Sequence, residues 1–520
     1  MKQNATDRTP ARRSQRYAPP SQYEASVEQL PGDKPYRKPN KFVELLCWAV
    51  ILSLIVGVVS LPFFEDDMMA DAPSNEHVPV EDSVAMAKMF LFVRQVAPEE
   101  SSVKDLDGME HGSVQHRLVR TAMVAEADSL DKAFDTVELL ERKIEKDEYE
   151  PTELQSQLID DTRRVLEKRQ EQGDRFDPTS IPAERRERLE KELGWAGSLL
   201  LSPRESTDTS KRQQVLSSAT TTSTLLMIGV FAFLAFVFGG LLMSVVAGLM
   251  YWRGQLRIGV ADQSGSGTIY LETFTFWMLA YFGTSILLTL ALWASGVKVD
   301  AEQSGNGDIT GLLFTAALFG GSLITLVWPL IRGVGFSKLC DDIGWKFQNP
   351  FVEGFKGLLG YAAGVVVLGI GLFATLFLTV FSTMMSAKSP ELAGDNVVAH
   401  PVQEWIGSGQ FALIAFSFLL ACVFAPIVEE TMFRGVFFRY LRDRTGGMPR
   451  WGSVLVTAFV NAFVFAVIHP QGWIAVPVLM SFAVVLTLIR QWRGSLIAPM
   501  LVHCFHNSVL LIITFVVMVG

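Results

Sequence analysis

The chain has 520 residues, of which 49% are hydrophobic and 19% charged, and its formal net charge is −9. This composition is too apolar for an ordinary soluble protein of this length. The apolar residues also cluster in blocks of about eighteen or more, the length at which a helix spans a bilayer. The net charge is negative, and the sequence shows no basic cluster of the kind that binds nucleic acid, so we expect no nucleic-acid partner. The four cysteines lack the paired spacings of a structural zinc site and do not predict a disulfide framework.

The amino-terminal part of the chain divides into a tail, one span and a long polar insert. Residues 1–41 are rich in Pro, Gln, Ser, Arg and Lys, a composition typical of a disordered tail. An apolar span follows at 42–64, and its flanking charges, basic before and acidic after, predict a cytoplasmic amino terminus. Residues 65–218 are hydrophilic, with apolar residues at helical spacing from Leu130 to Ile144, so we expect a helical insert there.

The rest of the chain is predicted to lie mostly in the membrane. Transmembrane helices are expected at 219–350, and a carboxyl-terminal transmembrane domain that carries the chemistry is expected at 351–520. With the first span, this predicts an all-α, polytopic transmembrane helical bundle of about nine spans, with the helical insert between spans one and two. The later spans lie near 222–250, 270–295, 309–331, 356–384, 409–438, 453–470, 473–490 and 495–519.

One of these spans ends in charged residues that an apolar helix does not need. Glu429, Glu430 and Arg434 follow a run of about twenty apolar residues, and charges at that depth are costly unless they are paired or used. Glu430 and Arg434 are four residues apart, so they are expected to neutralise each other and hold the helix. Glu429 points about 100° away and is left to activate a water molecule as general base.

The two following spans bring imidazole and amide groups to a similar depth. At about 1.5 Å per residue, Glu429, His469, His503 and Asn507 lie about 15, 24, 12 and 18 Å from the expected cytoplasmic boundary. They therefore share the middle of a hydrocarbon core about 30 Å thick. His469 and His503 either ligate a metal ion or hydrogen-bond the water that Glu429 activates. Asn507 shares a helix face with His503 and is expected to donate to the developing oxyanion.

These motifs resemble those of the CPBP family, also called the ABI family. It includes the type II CAAX prenyl endopeptidases and bacterial relatives linked to bacteriocin processing and self-immunity. The resemblance covers roughly residues 350 to 520, and the first 220 residues have no recognised counterpart. Its motifs are Glu429-Glu430-Thr431-Met432-Phe433-Arg434, Phe465-Ala466-Val467-Ile468-His469 and His503-Cys504-Phe505-His506-Asn507.

The resemblance implies an intramembrane peptidase, and it leaves metalloprotease and glutamate-dependent mechanisms open. Carried over by motif position, the essential set is Glu429, His469, His503 and Asn507. In the metalloprotease form the cofactor would be Zn²⁺, held by His469 and His503 with Glu429. The expected partners are the lipid bilayer and a membrane-tethered or hydrophobic peptide substrate, and the expected location is the inner membrane of a bacterium.

Two other functions are compatible with a polar cluster inside a membrane. A non-catalytic scaffold or immunity protein could keep the cluster only for helix association. A transporter could use midplane carboxylates for ion coupling, but it would be expected to show related repeats in its two halves. No second Glu-Glu motif or comparable histidine-bearing repeat occurs in the earlier spans, so the transporter ranks last.

Overall fold

The structure is a computed structural model that describes residues 40–68, 80–96, 106, 109, 113–146, 151–255, 260, 265–295, 309–346, 349–386 and 410–518. Within these ranges the regular elements are helices, and the β-type pairing is an isolated bridge between Phe176 and Ser206. The prediction of an all-α polytopic bundle is therefore confirmed. Residues 1–39 of the tail predicted at 1–41 lie outside the described residues. All four cysteines are free.

Within the described ranges, eight helices are long and apolar enough to cross a membrane, namely α1, α8, α9 and α14–α18. The chain order is α1 (Lys41–Met68), α2 (Glu81–Val96), α3 (Val114–Ala127), α4 (Leu130–Lys146), α5 (Glu153–Gln172), α6 (Ala183–Leu193), α7 (Trp195–Leu200), α8 (Thr209–Trp252), α9 (Ile269–Ser295), α10 (Ile309–Gly321), α11 (Val327–Ile331), α12 (Phe336–Ile343), α13 (Pro350–Ala363), α14 (Val365–Ser386), α15 (Phe411–Arg444), α16 (Arg450–Val467), α17 (Gly472–Arg493) and α18 (Ile497–Met518).

The span predicted near 309–331 is an interrupted helix. Helix α10 gives way at Gly321 to a 3₁₀ turn, Ser322–Leu326, before the short helix α11. Two adjacent glycines weaken the end of α10, and Pro329 within α11 has no N–H to donate and crowds the preceding turn. The apolar helical stretch Ala316–Ile331 runs across this turn.

Helices α2 to α7 form the insert, which has a hydrophobic core of its own. Helix α4 buries Ala133, Val137 and Leu140 along one face, as its helical spacing predicts. The first turns of α8 contribute Val215 and Ala219 to the same core. Helix α8 then continues for 44 residues into the bundle, so one unbroken helix crosses the boundary predicted at residue 218.

Helices α13 to α18 pack closely around the carboxyl-terminal motifs. Helices α16 and α17 form an antiparallel hairpin, α14 packs along α17, and α13 lies against α18 and α8. Gly360 and Gly364 allow α13 to approach α17. A β-carbon at Gly360 would lie 2.9 Å from Ile489, and one at Gly364 would lie 2.6 Å from Val485. This is the close packing that small residues permit between membrane helices.

A buried carboxylate joins α5 to α6 in the insert, and its replacement tests the core of that domain. Asp161 is 1% exposed and accepts hydrogen bonds from Arg185 at 2.8 Å and Arg188 at 2.7 Å. The Asp161→Ala variant should lower the free energy of unfolding of the insert by about 2 kcal/mol, because two charge-assisted hydrogen bonds are lost. Limited proteolysis of the full-length protein in rising urea would measure the change.

The neighbouring aspartate provides a matched control for this prediction. Asp160 also bonds Arg185, at 2.6 Å, but its side chain is 65% exposed. The Asp160→Ala variant should change the unfolding free energy by less than about 0.5 kcal/mol, since exposed ion pairs contribute little. Equal losses in the two variants would contradict the role given to burial.

Candidate active site

Helix α15 alternates between α-helical and π-helical turns, and this sets the direction of its acidic residues. An α-helical start, Phe411–Leu419, leads into a π-helical stretch, Leu420–Phe424. A short α-helical turn, Ala425–Glu429, precedes a second π-helical stretch, Glu430–Phe437. Glu429 and Glu430 thus occupy the junction between two kinds of turn. Single π-helical turns within α-helices are frequent at functional sites.

Polar side chains from three neighbouring helices hold these π-helical stretches. Each donates a hydrogen bond to a carbonyl oxygen of α15, so the widened turns are fixed by their surroundings. The bonds run from Asn507 Nδ2 to the Ala421 carbonyl at 2.8 Å, from Asn461 Nδ2 to the Phe433 carbonyl at 2.7 Å, and from Arg490 Nε to the Arg434 carbonyl at 3.1 Å. The sequence analysis did not identify Asn461 and Arg490. The feature that could have revealed them is a polar side chain within an otherwise apolar span.

Glu430 and Arg434 form a fully buried ion pair that also fixes a histidine. The Arg434 Nη1 donor lies 3.0 Å from Glu430 Oε1, and both side chains are 0% exposed. His503 Nδ1 lies 2.9 Å from the same oxygen. Arg434 also donates to the Ala483 carbonyl at 3.3 Å, and its guanidinium lies 4.4 Å from the centre of the Phe465 ring. Charge, hydrogen bonds and a ring face all stabilise the buried guanidinium, while Arg434 Nε and Glu430 Oε2 have no hydrogen-bond partner among the described residues.

Glu429 faces the two histidines and has no hydrogen-bond partner for one of its oxygens. Its Oε2 atom is buried, lies 3.9 Å from His469 Nε2 and lies 3.8 Å from His503 Nε2. A buried carboxylate oxygen without a partner is rare and indicates a missing ligand or water. These gaps are too long for a direct hydrogen bond, but one water molecule can bridge Glu429 Oε2 and either imidazole Nε2. The structure therefore brings His469 and His503 within 4 Å of the same Glu429 oxygen.

Hydrogen bonds to Nδ1 set the protonation of both rings. His469 Nδ1 lies 2.5 Å from the Phe465 carbonyl, which only accepts, so Nδ1 carries the proton. His503 Nδ1 faces the Glu430 carboxylate and is protonated for the same reason. In neutral rings Nε2 is then the acceptor, and in both residues Nε2 is the atom that faces Glu429.

His469 lies beyond the helix on which its motif begins. Helix α16 ends at Val467, and His469 occupies the turn that leads into α17. Phe465 and His469 are nevertheless in direct contact, with their ring centres 4.2 Å apart. Phe465 thus contacts His469 through both its carbonyl oxygen and its ring. The same ring also lies against the guanidinium of Arg434.

Asn507 and His506 point to different neighbours on α18. The amide of Asn507 donates to the Ala421 carbonyl, so one of its two N–H groups supports α15. His506 Nδ1 pairs with the Tyr361 hydroxyl at 2.8 Å, and its ring stacks on Phe482 at 4.1 Å. His506 therefore packs against α13 and α17 through these two residues.

The three facing groups match a zinc site in kind but not in spacing. Both imidazoles offer unprotonated Nε2, with Nδ1 held as metal-binding histidines usually have it. Ligand atoms about 2.0–2.1 Å from a tetrahedral zinc ion lie about 3.3 Å from one another, less than the 3.8 and 3.9 Å found here. Among the residues that the structure describes, no three His, Cys, Asp or Glu side chains are grouped closely enough to hold a metal ion.

A protein-family model matches the part of the chain that carries this site. Residues 411–509 match the model described as type II CAAX prenyl endopeptidase Rce1-like. The matched segment begins with α15, contains all three motifs and ends on α18 just after Asn507. Comparison with curated proteins and with solved structures found no match.

The buried ion pair predicts a large loss of stability when one partner is removed. The Arg434→Met variant keeps an apolar side chain of similar length but leaves Glu430 charged and buried. It should lower the free energy of unfolding by about 3–5 kcal/mol. Denaturation of the purified protein in mild detergent by added sodium dodecyl sulfate, followed by circular dichroism, would measure the change.

The same substitution in a more exposed ion pair is the control for this prediction. Arg444 lies 2.6 Å from Glu44, and their side chains are 45% and 13% exposed, against 0% for both members of the buried pair. The Arg444→Met variant should lower the unfolding free energy by less than about 1 kcal/mol. A loss for Arg434→Met no larger than the loss for Arg444→Met would show that the buried pair does not stabilise the bundle.

Proposed function

Since residues 411–509 form an Rce1-like domain, we propose that the protein is an intramembrane endopeptidase that hydrolyses a peptide bond with a water molecule activated by Glu429. The observation that carries this proposal is the buried Oε2 of Glu429, which has no hydrogen-bond partner and faces two imidazole Nε2 atoms. The substrate is a membrane-tethered or hydrophobic peptide. A prenylated CAAX peptide, the substrate class named in the family description, is the first candidate.

The reaction begins with a water molecule between Glu429 and the histidines. The water donates one hydrogen bond to Glu429 and the other to an imidazole Nε2, which turns its lone pair towards the substrate carbonyl carbon. As the new C–O bond forms, the water proton passes to Glu429 and the carbonyl oxygen becomes an oxyanion. When the C–N bond breaks, Glu429 returns the proton to the leaving nitrogen. The products are a carboxylic acid and an amine, and Glu429 regains its charge.

The other site residues hold this arrangement in place. Arg434 neutralises Glu430, so Glu429 is the member of the acidic pair that is left to take a proton. Glu430 in turn orients the His503 ring, and the Phe465 carbonyl orients the His469 ring. This fixed geometry lowers the cost of arranging the reacting groups in each turnover.

Differences in exposure indicate the side from which a substrate reaches the water. The side chains of Glu429 and His469 are 17% and 18% exposed, whereas those of Glu430 and His503 are 0% and 5% exposed. The substrate backbone would therefore approach past Glu429 and His469, while Glu430 and His503 form the floor of the site.

The protein is further proposed to lie in the inner membrane of a bacterium with its amino terminus in the cytoplasm. Most Arg and Lys residues of the bundle lie just after α8, just after α11, around the junction of α15 and α16, and at the end of α17. By the positive-inside rule that end of the bundle faces the cytoplasm.

Replacement of the proposed base tests the catalytic role directly. The Glu429→Gln variant keeps the shape of the side chain but cannot take a proton, so it should cleave at least about 100-fold more slowly. The assay would use protein reconstituted in liposomes, with a quenched fluorescent farnesylated CAAX peptide and a library of hydrophobic peptides. The Glu184→Gln variant, changed at an 87% exposed position in the insert, should cleave at the wild-type rate.

The outcome also separates the peptidase from a scaffold. If Glu429→Gln cleaves as fast as wild type, another group activates the water. If wild type cleaves no substrate while the biological activity survives in Glu429→Gln, the bundle acts as a scaffold or immunity protein.

The wide spacing of the three facing groups gives a prediction about metal dependence. Cleavage should survive dialysis against 1,10-phenanthroline, and the purified protein should hold zinc at well below one ion per chain. Metal analysis by mass spectrometry and cleavage assays on the same preparation would check both points. Stoichiometric zinc, together with activity that is lost on chelation and restored by added zinc, would show that His469, His503 and Glu429 close around a metal ion.

A further inference from the structure

The tilt of the His503 ring decides where its Nε2 atom points. The hydrogen bond between Nδ1 and Glu430 fixes one corner of the ring but leaves this tilt open. The aromatic neighbours that limit the tilt are Phe482, at 5.3 Å between ring centres, and Phe465, at 6.3 Å. Phe482 is the nearer of the two and meets His503 edge to face, with an interplanar angle of 78°.

Phe482 of α17 is itself held by a second histidine of α18. The ring of His506 stacks on Phe482 with centres 4.1 Å apart and an interplanar angle of 23°. Phe482 is buried in a cluster of apolar side chains, so its ring has little room to turn away from this contact. Phe482 therefore contacts both histidines, His506 by stacking and His503 edge to face.

A hydroxyl from α13 fixes the position of His506. The oxygen of Tyr361 lies 2.8 Å from His506 Nδ1, and the two rings meet edge to face with centres 6.0 Å apart. Tyr361 is buried, and its ring packs against Phe236 of α8 at 5.3 Å. In such surroundings the hydroxyl and the imidazole satisfy each other, and removal of either one leaves the other unpaired.

From these contacts we propose that Tyr361 and His506 are positioning residues for the reaction. They hold the Phe482 ring against His503. His503 Nε2 is thereby kept directed at the water that Glu429 activates. The inference rests on the proposed peptidase function, and it gives α13, a helix outside the family match, a part in that function.

The reaction is sensitive to this tilt because His503 and Glu429 share a water molecule. Their facing atoms are 3.8 Å apart, a gap that one water bridges. A displacement of about 1 Å in a reacting group can lower a rate about 100-fold, and a change in tilt displaces Nε2 relative to the water. His469 has separate support from the Phe465 carbonyl, so the loss of one support leaves the other imidazole in place.

The Tyr361→Phe variant removes the hydroxyl and keeps the ring with its contacts to Phe236 and Phe482. In the liposome assay with the quenched farnesylated CAAX peptide, kcat should fall by about 5- to 50-fold, because one of two imidazoles is misdirected. KM should stay within about threefold of wild type, since the change is made away from the substrate. Tyr251→Phe, at a 62% exposed position on α8, is the matched control and should keep wild-type kcat and KM.

A change in the other partner separates positioning from stability. His506→Phe keeps a ring against Phe482 but cannot form the hydrogen bond, so it should lower kcat as far as Tyr361→Phe does. Each single variant leaves one buried polar group unpaired and should lower the detergent midpoint of unfolding, whereas the double variant leaves neither and should recover most of that loss. The kcat of the double variant should stay as low as in the single variants, because both changes break the same link.

Three results would contradict the positioning role. Recovery of kcat together with the midpoint in the double variant would show that the pair only stabilises the bundle. An active wild type with kcat for Tyr361→Phe within twofold of it, or a rise in KM without a fall in kcat, would overturn the role and leave the peptidase function standing. A wild type inactive on the peptide and on the hydrophobic library would overturn the peptidase proposal, and this one with it.

Discussion

The arrangement of the site depends on a pair of opposite charges that no water reaches. Glu430 and Arg434 are adjacent on one face of α15, and each would be strongly destabilising alone in this environment. Together they hold His503 through Glu430, and contact α17 and the Phe465 ring through Arg434. The two neighbouring acids therefore differ. Glu430 is paired with Arg434 and fully buried, whereas Glu429 faces the histidines on the more exposed side of the site.

The π-helical stretches of α15 show how the bundle positions these side chains. A π-helical turn has weaker packing of its own and needs support from its surroundings. Here the amides of Asn461 and Asn507 and the guanidinium of Arg490 bond carbonyl oxygens of these turns. The direction of Glu429 is therefore set jointly by α15 and by the three helices that follow it.

The candidate site is also tied to parts of the chain outside the Rce1-like segment. Phe274 and Trp277 of α9 pack against Phe437 and Phe433 of α15. Helix α8 extends from the core of the insert into the bundle, where Ser244 donates to the Ala363 carbonyl at 2.8 Å. One continuous helix therefore joins the hydrophobic core of the insert to the membrane bundle.

The sequence by itself determined the apolar spans, the amphipathic helices of the insert and the three polar motifs, since hydropathy and helical spacing are local properties of the chain. It also indicated that Glu430 and Arg434 could pair, because residues four apart meet on a helix. Only the tertiary structure decided that His469 lies in a turn, that α15 contains π-helical stretches, and that Phe274 and Trp277 of α9 pack against them. These features depend on the register between helices distant in sequence, which is fixed by side-chain packing and buried hydrogen bonds and which no local pattern specifies.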